Sequence, residues 1–281
     1  MNNLLVPLDF SDESQNALRV AVQMAQKTDA AIQLLHVLEI PSSTYSVAGD
    51  VYAAATVLDQ VYAPRMQASV EERLTEIAEM VRKQGVSVSF KIAHGSVYRM
   101  IEEQTKGEAI DMIIMGTKGA SGWHEVFIGS NAEKVIRRSK IPVLTIKHEL
   151  DLDKVKNILL AVGTHEEEAV EAAKFMQLLT GATCHLLKVF RKTSEESSLE
   201  ETQQALSDYA NNQHFRDYTT NVVFSQWVEE GILDFVTNHT IDLIVIGTHG
   251  YKGISHFLLG SHAEDVANHT DLPVLTTKVS W

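Results

Sequence analysis

A glycine-rich segment occurs twice in this chain, the second time 131 positions after the first. One copy opens Met115-Gly116-Thr117-Lys118-Gly119 and reaches Gly129-Ser130-Asn131; the other opens Ile246-Gly247-Thr248-His249-Gly250 and reaches Gly260-Ser261-His262. Both keep one spacing: a glycine, two residues, a glycine, nine residues, then Gly-Ser. A frame of that length held in two places means that one structural unit is used twice. The 281 residues then divide into halves of about 140, each large enough to bury its own core.

Each copy follows an apolar run, Met112-Ile-Ile-Met115 or Leu243-Ile-Val-Ile246, of the kind that forms a strand buried on both faces. Behind the first Gly-Ser, Ala132, Val135 and Ile136 give an apolar stripe at helical spacing. Ser130 with Glu133, and Ser261 with Glu264, have the Ser-x-x-Glu spacing of a capping box, so a helix is expected to begin at each Gly-Ser. A helix start presents N–H groups without intrahelical partners and the positive end of the helix dipole, which favours an anion with oxygen acceptors. Glycines at 116, 119 and 129 let such a ligand approach the backbone with no Cβ in the way. The segment reads as a phosphate cradle. The same glycines could merely shape turns, but their repetition between a strand and a helix favours the cradle.

The remainder alternates strand and helix signals in the same order in both halves. Asn3 to Asp9 reads as a short buried strand ending in a carboxylate, and Ser11 to Gln15 as the start of a helix whose apolar face is Ala17, Ala21, Met24 and Ala25. Strands are expected at 31–38, 86–93, 110–115 and 141–146, with a helix from about Met66 to Lys83 and another beginning near Val97. Residues 41–64, with Tyr45, Tyr52 and Tyr62, interrupt the rhythm and read as a surface loop with a short helix. After a polar linker at 148–153, strands at 157–163, 183–190, 221–225, 241–246 and 272–277 and a helix at 169–179 repeat the pattern, while 193–201 reads as an acidic loop or frayed helix start. Domain boundaries of 1–147 and 154–281 follow. Each half is α/β, an open, doubly wound, five-stranded parallel sheet, in which ligands bind beyond the carboxyl ends of the strands where strand order reverses.

Composition narrows the function. Hydrophobic content of 44% with 22% charged residues is that of a folded globular chain. With no apolar run of about 18 residues and no leader-like start, neither a membrane span nor a signal peptide is expected, and a cytoplasmic location is. A net charge of −13 argues against nucleic acid or an anionic membrane as partner. The single cysteine, Cys184, excludes an internal disulfide. His249, His256 and His262 have no recognised zinc-ligand spacing, and no metal site is expected.

At the glycine frame the chain resembles the universal stress protein family, whose nucleotide-binding members carry Gly-x2-Gly-x9-Gly-Ser/Thr there, and it looks like two such domains in tandem. The resemblance implies a 3-2-1-4-5 strand order, an adenine nucleotide α-hydrolase-like fold and ATP, with or without Mg²⁺, as ligand. Carried onto this sequence, Asp9 after Pro7 and Leu8 would contact the adenosine and the backbone of Val37 would face adenine. Met115, Gly116, Gly119, Gly129, Ser130 and Asn131 would cradle the phosphates, and Gly247, Gly250, Gly260, Ser261 and His262 are their counterparts in the second half. Family members commonly dimerise through the fifth strand, so Val143–Ile146 and Val274–Thr277 are expected to pair within the chain as an internal pseudo-dimer. Further assembly into a homodimer is left open.

The halves are not equivalent: Gly163 stands where the first half has Asp9. A carboxylate accepts hydrogen bonds from ribose hydroxyls or an adenine amino group and a glycine does not, so the first half is expected to bind ATP better. Lys118 and His249 share one loop position, from which either could reach a phosphate. Without a Gly-Lys-Ser/Thr loop, a Gly-x-Ser-x-Gly elbow or a His-Glu-x-x-His helix, the sequence supports binding better than catalysis. The expectation is a stress-responsive regulatory protein whose nucleotide occupancy tunes conformation or contacts with an unidentified protein partner. The alternatives are a slow ATP hydrolase or nucleotidyl-transfer enzyme, and a nucleotide-independent interaction module.

Overall fold

The computed structural model describes residues 1–39, 51–107, 109–117, 129–163, 167–191, 199–248 and 261–278, with the side chains of 51–63 and of Ser261 excepted. The first half runs β1 (Asn3–Pro7), α1 (Asp12–Thr28), β2 (Ala31–Leu38), α2 (Val51–Lys83), β3 (Val88–His94), α3 (Val97–Gly107), β4 (Met112–Gly116), α4 (Ser130–Arg138) and β5 (Val143–Ile146). A 3₁₀ turn at Leu152–Lys154 leads to β6 (Asn157–Ala161), α5 (Glu167–Thr180), β7 (Thr183–Arg191), α6 (Leu199–Asn212), β8 (Tyr218–Ser225), α7 (Val228–Asn238), β9 (Leu243–Gly247), α8 (Ser261–His269) and β10 (Val274–Thr277).

The ten strands form one sheet in the order β3-β2-β1-β4-β5-β10-β9-β6-β7-β8. Each half therefore has the 3-2-1-4-5 order that the resemblance implies. Within each half all pairings are parallel. Among the described residues only β5 and β10 meet antiparallel, Val143 opposite Thr276 and Thr145 opposite Val274. The fifth strands thus pair within the chain, and the two half-sheets run in opposite directions. Alternate residues of the apolar strands serve two cores: Leu4 and Val6 face the layer of α1, α2, α5 and α6, and Leu5 faces α3, α4, α7 and α8.

Polar anchors fix the strand starts and the join. Asp111 Oδ2 accepts from the backbone N–H groups of Asn2 and Asn3, and Asp242 Oδ2, 131 positions on, accepts from Lys156 and Asn157 at 2.8 and 2.9 Å. One device thus sets the first strand of each half against its fourth. Gln23 of α1 clamps the linker, donating to Leu150 O at 2.9 Å and accepting from Leu152 N at 2.8 Å, while Lys27 reaches Asp153 at 2.7 Å. Lys147, 8% exposed, caps the carbonyls of Asn268 and Thr270 at the end of α8.

The structure departs from the sequence reading in two places, at the start of α2 and at the start of α4. Helix α2 begins at Val51, well before the expected Met66, and carries Pro64 inside it. A proline removes one intrahelical bond and suggests a boundary, but the alanine-rich stretch ahead of it continues the helix. Helix α6 begins at Leu199, within the stretch 193–201 that reads as an acidic loop or frayed helix start, and buries Leu206 and Ala210; residues 193–198 lie outside the described residues. The capping box is not built: Gly129 is the N-cap of α4 with no side-chain cap, and Ser130 is already the first helical residue. Glu133 lies instead 3.7 Å from Arg137, one turn along.

Candidate functional site

Strand order reverses between β1 and β4, and at their carboxyl ends lies a cleft of about 170 Å³. Pro7, Leu8, Asp9, Val37, Met115, Gly116, Gly129, Ser130 and Asn131, nine of the expected contact residues, line it together. Gly119 and Gly250, Gly260, Lys118, His249, His256 and residues 41–50 lie outside the described residues. Gly247 ends β9 and His262 lies in the first turn of α8, so they belong to the equivalent region of the second half. Ser261 opens that helix.

The wall of the cleft is made by a sharp turn after β1. Ser11 caps α1, its hydroxyl accepting from Ser14 N at 3.2 Å. Asp9 Oδ1 accepts from both the N–H and the hydroxyl of Ser11, at 3.0 and 2.5 Å, which fixes the exposed carboxylate at the rim. Between them Phe10 takes a left-handed backbone, φ 68°, a strained conformation for a bulky residue. Its ring is held by His36, stacked at 4.7 Å, and by the guanidinium of Arg73 at 4.2 Å, while His36 Nδ1 lies 2.7 Å from Leu8 O. No sequence signal marks Phe10, since its role comes from contacts with β2 and α2.

The floor is made by β4, Thr117 and the start of α4. Gly129 N donates to Thr117 O at 2.6 Å, bringing the two ends of the glycine segment together. Among the described residues no side chain caps α4, and Gly129, Ser130, Asn131 and Ala132 line the cleft, so the start of the helix and the positive end of its dipole border it. Thr117 is 2% exposed and lines the cleft, yet among the described residues its Oγ1 has no hydrogen-bonding partner. A buried hydroxyl left unpaired costs about 1–3 kcal/mol, which a ligand oxygen would restore. Thr117 was not among the sequence candidates, nor were Ser14, Leu35, Val97 and Ala132, which also line the cleft. Thr117 occurs in both copies of the frame, Thr248 being its counterpart, and that repetition was the available signal.

Gly116, which lines the cleft, is also needed for packing. A Cβ there would come within 2.7 Å of Glu13 C and 2.8 Å of Ser14 N. The glycine admits the first turn of α1 against β4, so its lack of a side chain serves packing at the cleft wall.

The two halves meet on this face through α4 and α8. Arg137 Nε and Nη2 donate to Glu264 Oε2 at 3.0 and 2.7 Å. Burial pushes the Glu264 carboxyl up against the opposing pull of Arg137, and donating to Glu264 raises the Arg137 guanidinium. Glu264, placed by the sequence in a capping box whose Ser261 side chain lies outside the described residues, thus bonds the neighbouring domain. Among the described residues no group of three His, Cys, Asp or Glu could hold a metal ion, and no helix is long and apolar enough to cross a membrane.

A universal stress protein family model matches twice, over residues 1–147 and again over 154–278. The chain belongs to the universal stress protein family. Among proteins similar to it is the universal stress protein YxiE of Bacillus subtilis, 32% identical over 149 residues, which are 52% of this chain and 99% of that protein. The universal stress protein Slr1230 of Synechocystis matches from end to end, 23% identical over 98% of this chain and 99% of its own length. A solved universal stress protein from Archaeoglobus fulgidus superimposes with a TM-score of 0.73, at 23% identity, over 99% of this chain and 97% of that one. The tandem arrangement of two universal stress protein domains is therefore shared in fold by a protein of known structure.

Proposed function

We propose that the first-half cleft binds an adenine nucleotide, ATP in particular, and that occupancy tunes contacts of this universal stress protein with a protein partner. The observation that carries the reading is the convergence of three unsatisfied or acceptor groups on one cleft. Asp9 at the end of β1 offers a carboxylate to ribose or adenine, and the start of α4, which no side chain caps among the described residues, offers N–H groups to phosphate. Between them Thr117 Oγ1 is buried and unpartnered among the described residues. Val37 borders the same space and supplies an apolar surface for the base. Magnesium would accompany the nucleotide as a phosphate counter-ion, and Asp9 is the carboxylate among the described residues that line the cleft; no step depends on it.

Calorimetric titration of nucleotide-stripped protein with ATP tests this. Asp9→Ala is expected to weaken binding about ten- to hundredfold, the value of a charged hydrogen bond. Gly129→Val, which puts a branched side chain at the N-cap of α4, is expected to abolish it. Unchanged affinity in both variants would overturn the assignment. Multiple-turnover phosphate release that vanishes with the same substitutions would instead support an enzyme.

A further inference from the structure

The two halves share one plan, yet their clefts are finished differently. Strand register makes Val189 the counterpart of Val37, because Leu8 N donates to Leu35 O and Val162 N to Leu187 O in the same way. Val37 is partly exposed and lines the open cleft of the first half. Val189 is 4% exposed.

The difference lies in the helix above it. A Cβ at Gly231 of α7 would stand 2.7 Å from Val189 Cγ1 and 3.1 Å from Ser225 Cβ, so the glycine is what lets α7 settle on the strand ends. Its counterpart in α3, 131 positions earlier, is Met100, too large for such an approach. At the start of α7, Glu229 Oε2 meets His262 Nδ1 of α8 at 2.7 Å. The corresponding residues of the first half are Tyr98 and Asn131; Asn131 lines the open cleft, and Tyr98 lies under the guanidinium of Arg138 at 5.6 Å. At the end of β6, Gly163 has replaced the carboxylate of Asp9, and its carbonyl accepts from Lys188 Nζ at 3.1 Å.

We infer that α7 closes the second cleft from within, and that Gly231 and the Glu229–His262 contact decide that the chain takes one nucleotide and not two. Gly231 supplies the close fit over the position where a base would lie, and the pair ties α7 to the first turn of α8, where phosphates would lie. The inference rests on the reading of the first cleft as a nucleotide site.

Thiol labelling tests the closure without any ligand. Cys184, the single native cysteine, is buried with its thiol pushed up to about 12 by burial, so the unmodified protein gives a slow background. A small thiol reagent is expected to modify Val37→Cys at least about tenfold faster than Val189→Cys, and adding Glu229→Ala to Val189→Cys should raise its rate by a similar factor. Equal rates for the two cysteines, or no response to Glu229→Ala, would overturn the closure. ATP titration of the unsubstituted protein should give one site per chain; two sites would overturn the inference as well. Absence of any ATP binding would remove the nucleotide reading while the labelling rates still report whether α7 is shut, so the two readings fail on different measurements.

Discussion

Replacing Thr117 by valine should move stability and ligand binding in opposite directions. The hydroxyl is 2% exposed and unpartnered among the described residues, so the free protein keeps a desolvated polar atom with nothing to bond. Valine has nearly the same shape and no such atom. Removing the unpaired group should stabilise the free protein by about 1–3 kcal/mol. At roughly 2–4 °C per kcal/mol for a chain of this size, Tm should rise by about 2–12 °C. If the hydroxyl bonds a phosphate oxygen in the complex, the same substitution removes a charge-assisted bond, and Kd should rise by roughly ten- to a hundredfold. Thermal melts with and without saturating ATP read both effects in one experiment: the baseline melt rises and the ligand-induced shift shrinks. A lower Tm for the free variant would show that Thr117 Oγ1 has a partner. An unchanged ligand-induced shift would show that the hydroxyl does not face the ligand. Either result refutes the reasoning.

Gly116→Ala should lower stability by about 1–3 kcal/mol, because the added methyl meets backbone of Glu13 and Ser14 at 2.7–2.8 Å; denaturant unfolding measures it, and no loss would mean that α1 can shift freely. Arg137→Ala should cost at most about 1 kcal/mol, since its side chain is 42% exposed; a melt lowered by more than about 4 °C would show that the bridge to Glu264 does more than join α4 to α8. Asp111 titrates below its ordinary value: burial would raise it, but the N–H groups of Asn2 and Asn3 stabilise the carboxylate more strongly. Its contribution is therefore complete above about pH 4, the unfolded value, and is lost as pH falls through the lower folded value. Wild type should be more stable than Asp111→Asn at pH 7, with the gap closing only below about pH 4; a gap that is constant with pH would refute this.

Periodic features were legible in the chain. The apolar runs before each glycine segment and the matching order of strands in both halves give the parallel strands, because buried strands must be apolar on both faces; the strand order and the pairing of the fifth strands come from the family resemblance. Asp9 and the Gly-Ser junction were legible as cleft residues for the same reason, standing at strand ends and helix starts. What escaped the sequence depends on distant neighbours. The left-handed turn at Phe10 is held by His36 and Arg73, and Gly116 is needed by the backbone of α1. Glu264 has the spacing of a cap but bonds an arginine 127 positions away. A local pattern could not disclose that α7 lies on Val189, since the glycine permitting it has no motif around it.

The antiparallel seam between β5 and β10 has a consequence for how the two halves can change. In a symmetric dimer of identical subunits every substitution appears in both sites at once, so a loss in one is a loss in both. Covalent fusion across the seam removes that constraint, and it also holds the halves together at any dilution. Because the half-sheets point in opposite directions, their carboxyl ends emerge at opposite ends of the molecule. One half can then surrender its carboxylate at Gly163 while the other retains Asp9, and a protein that recognises one end need not touch the other.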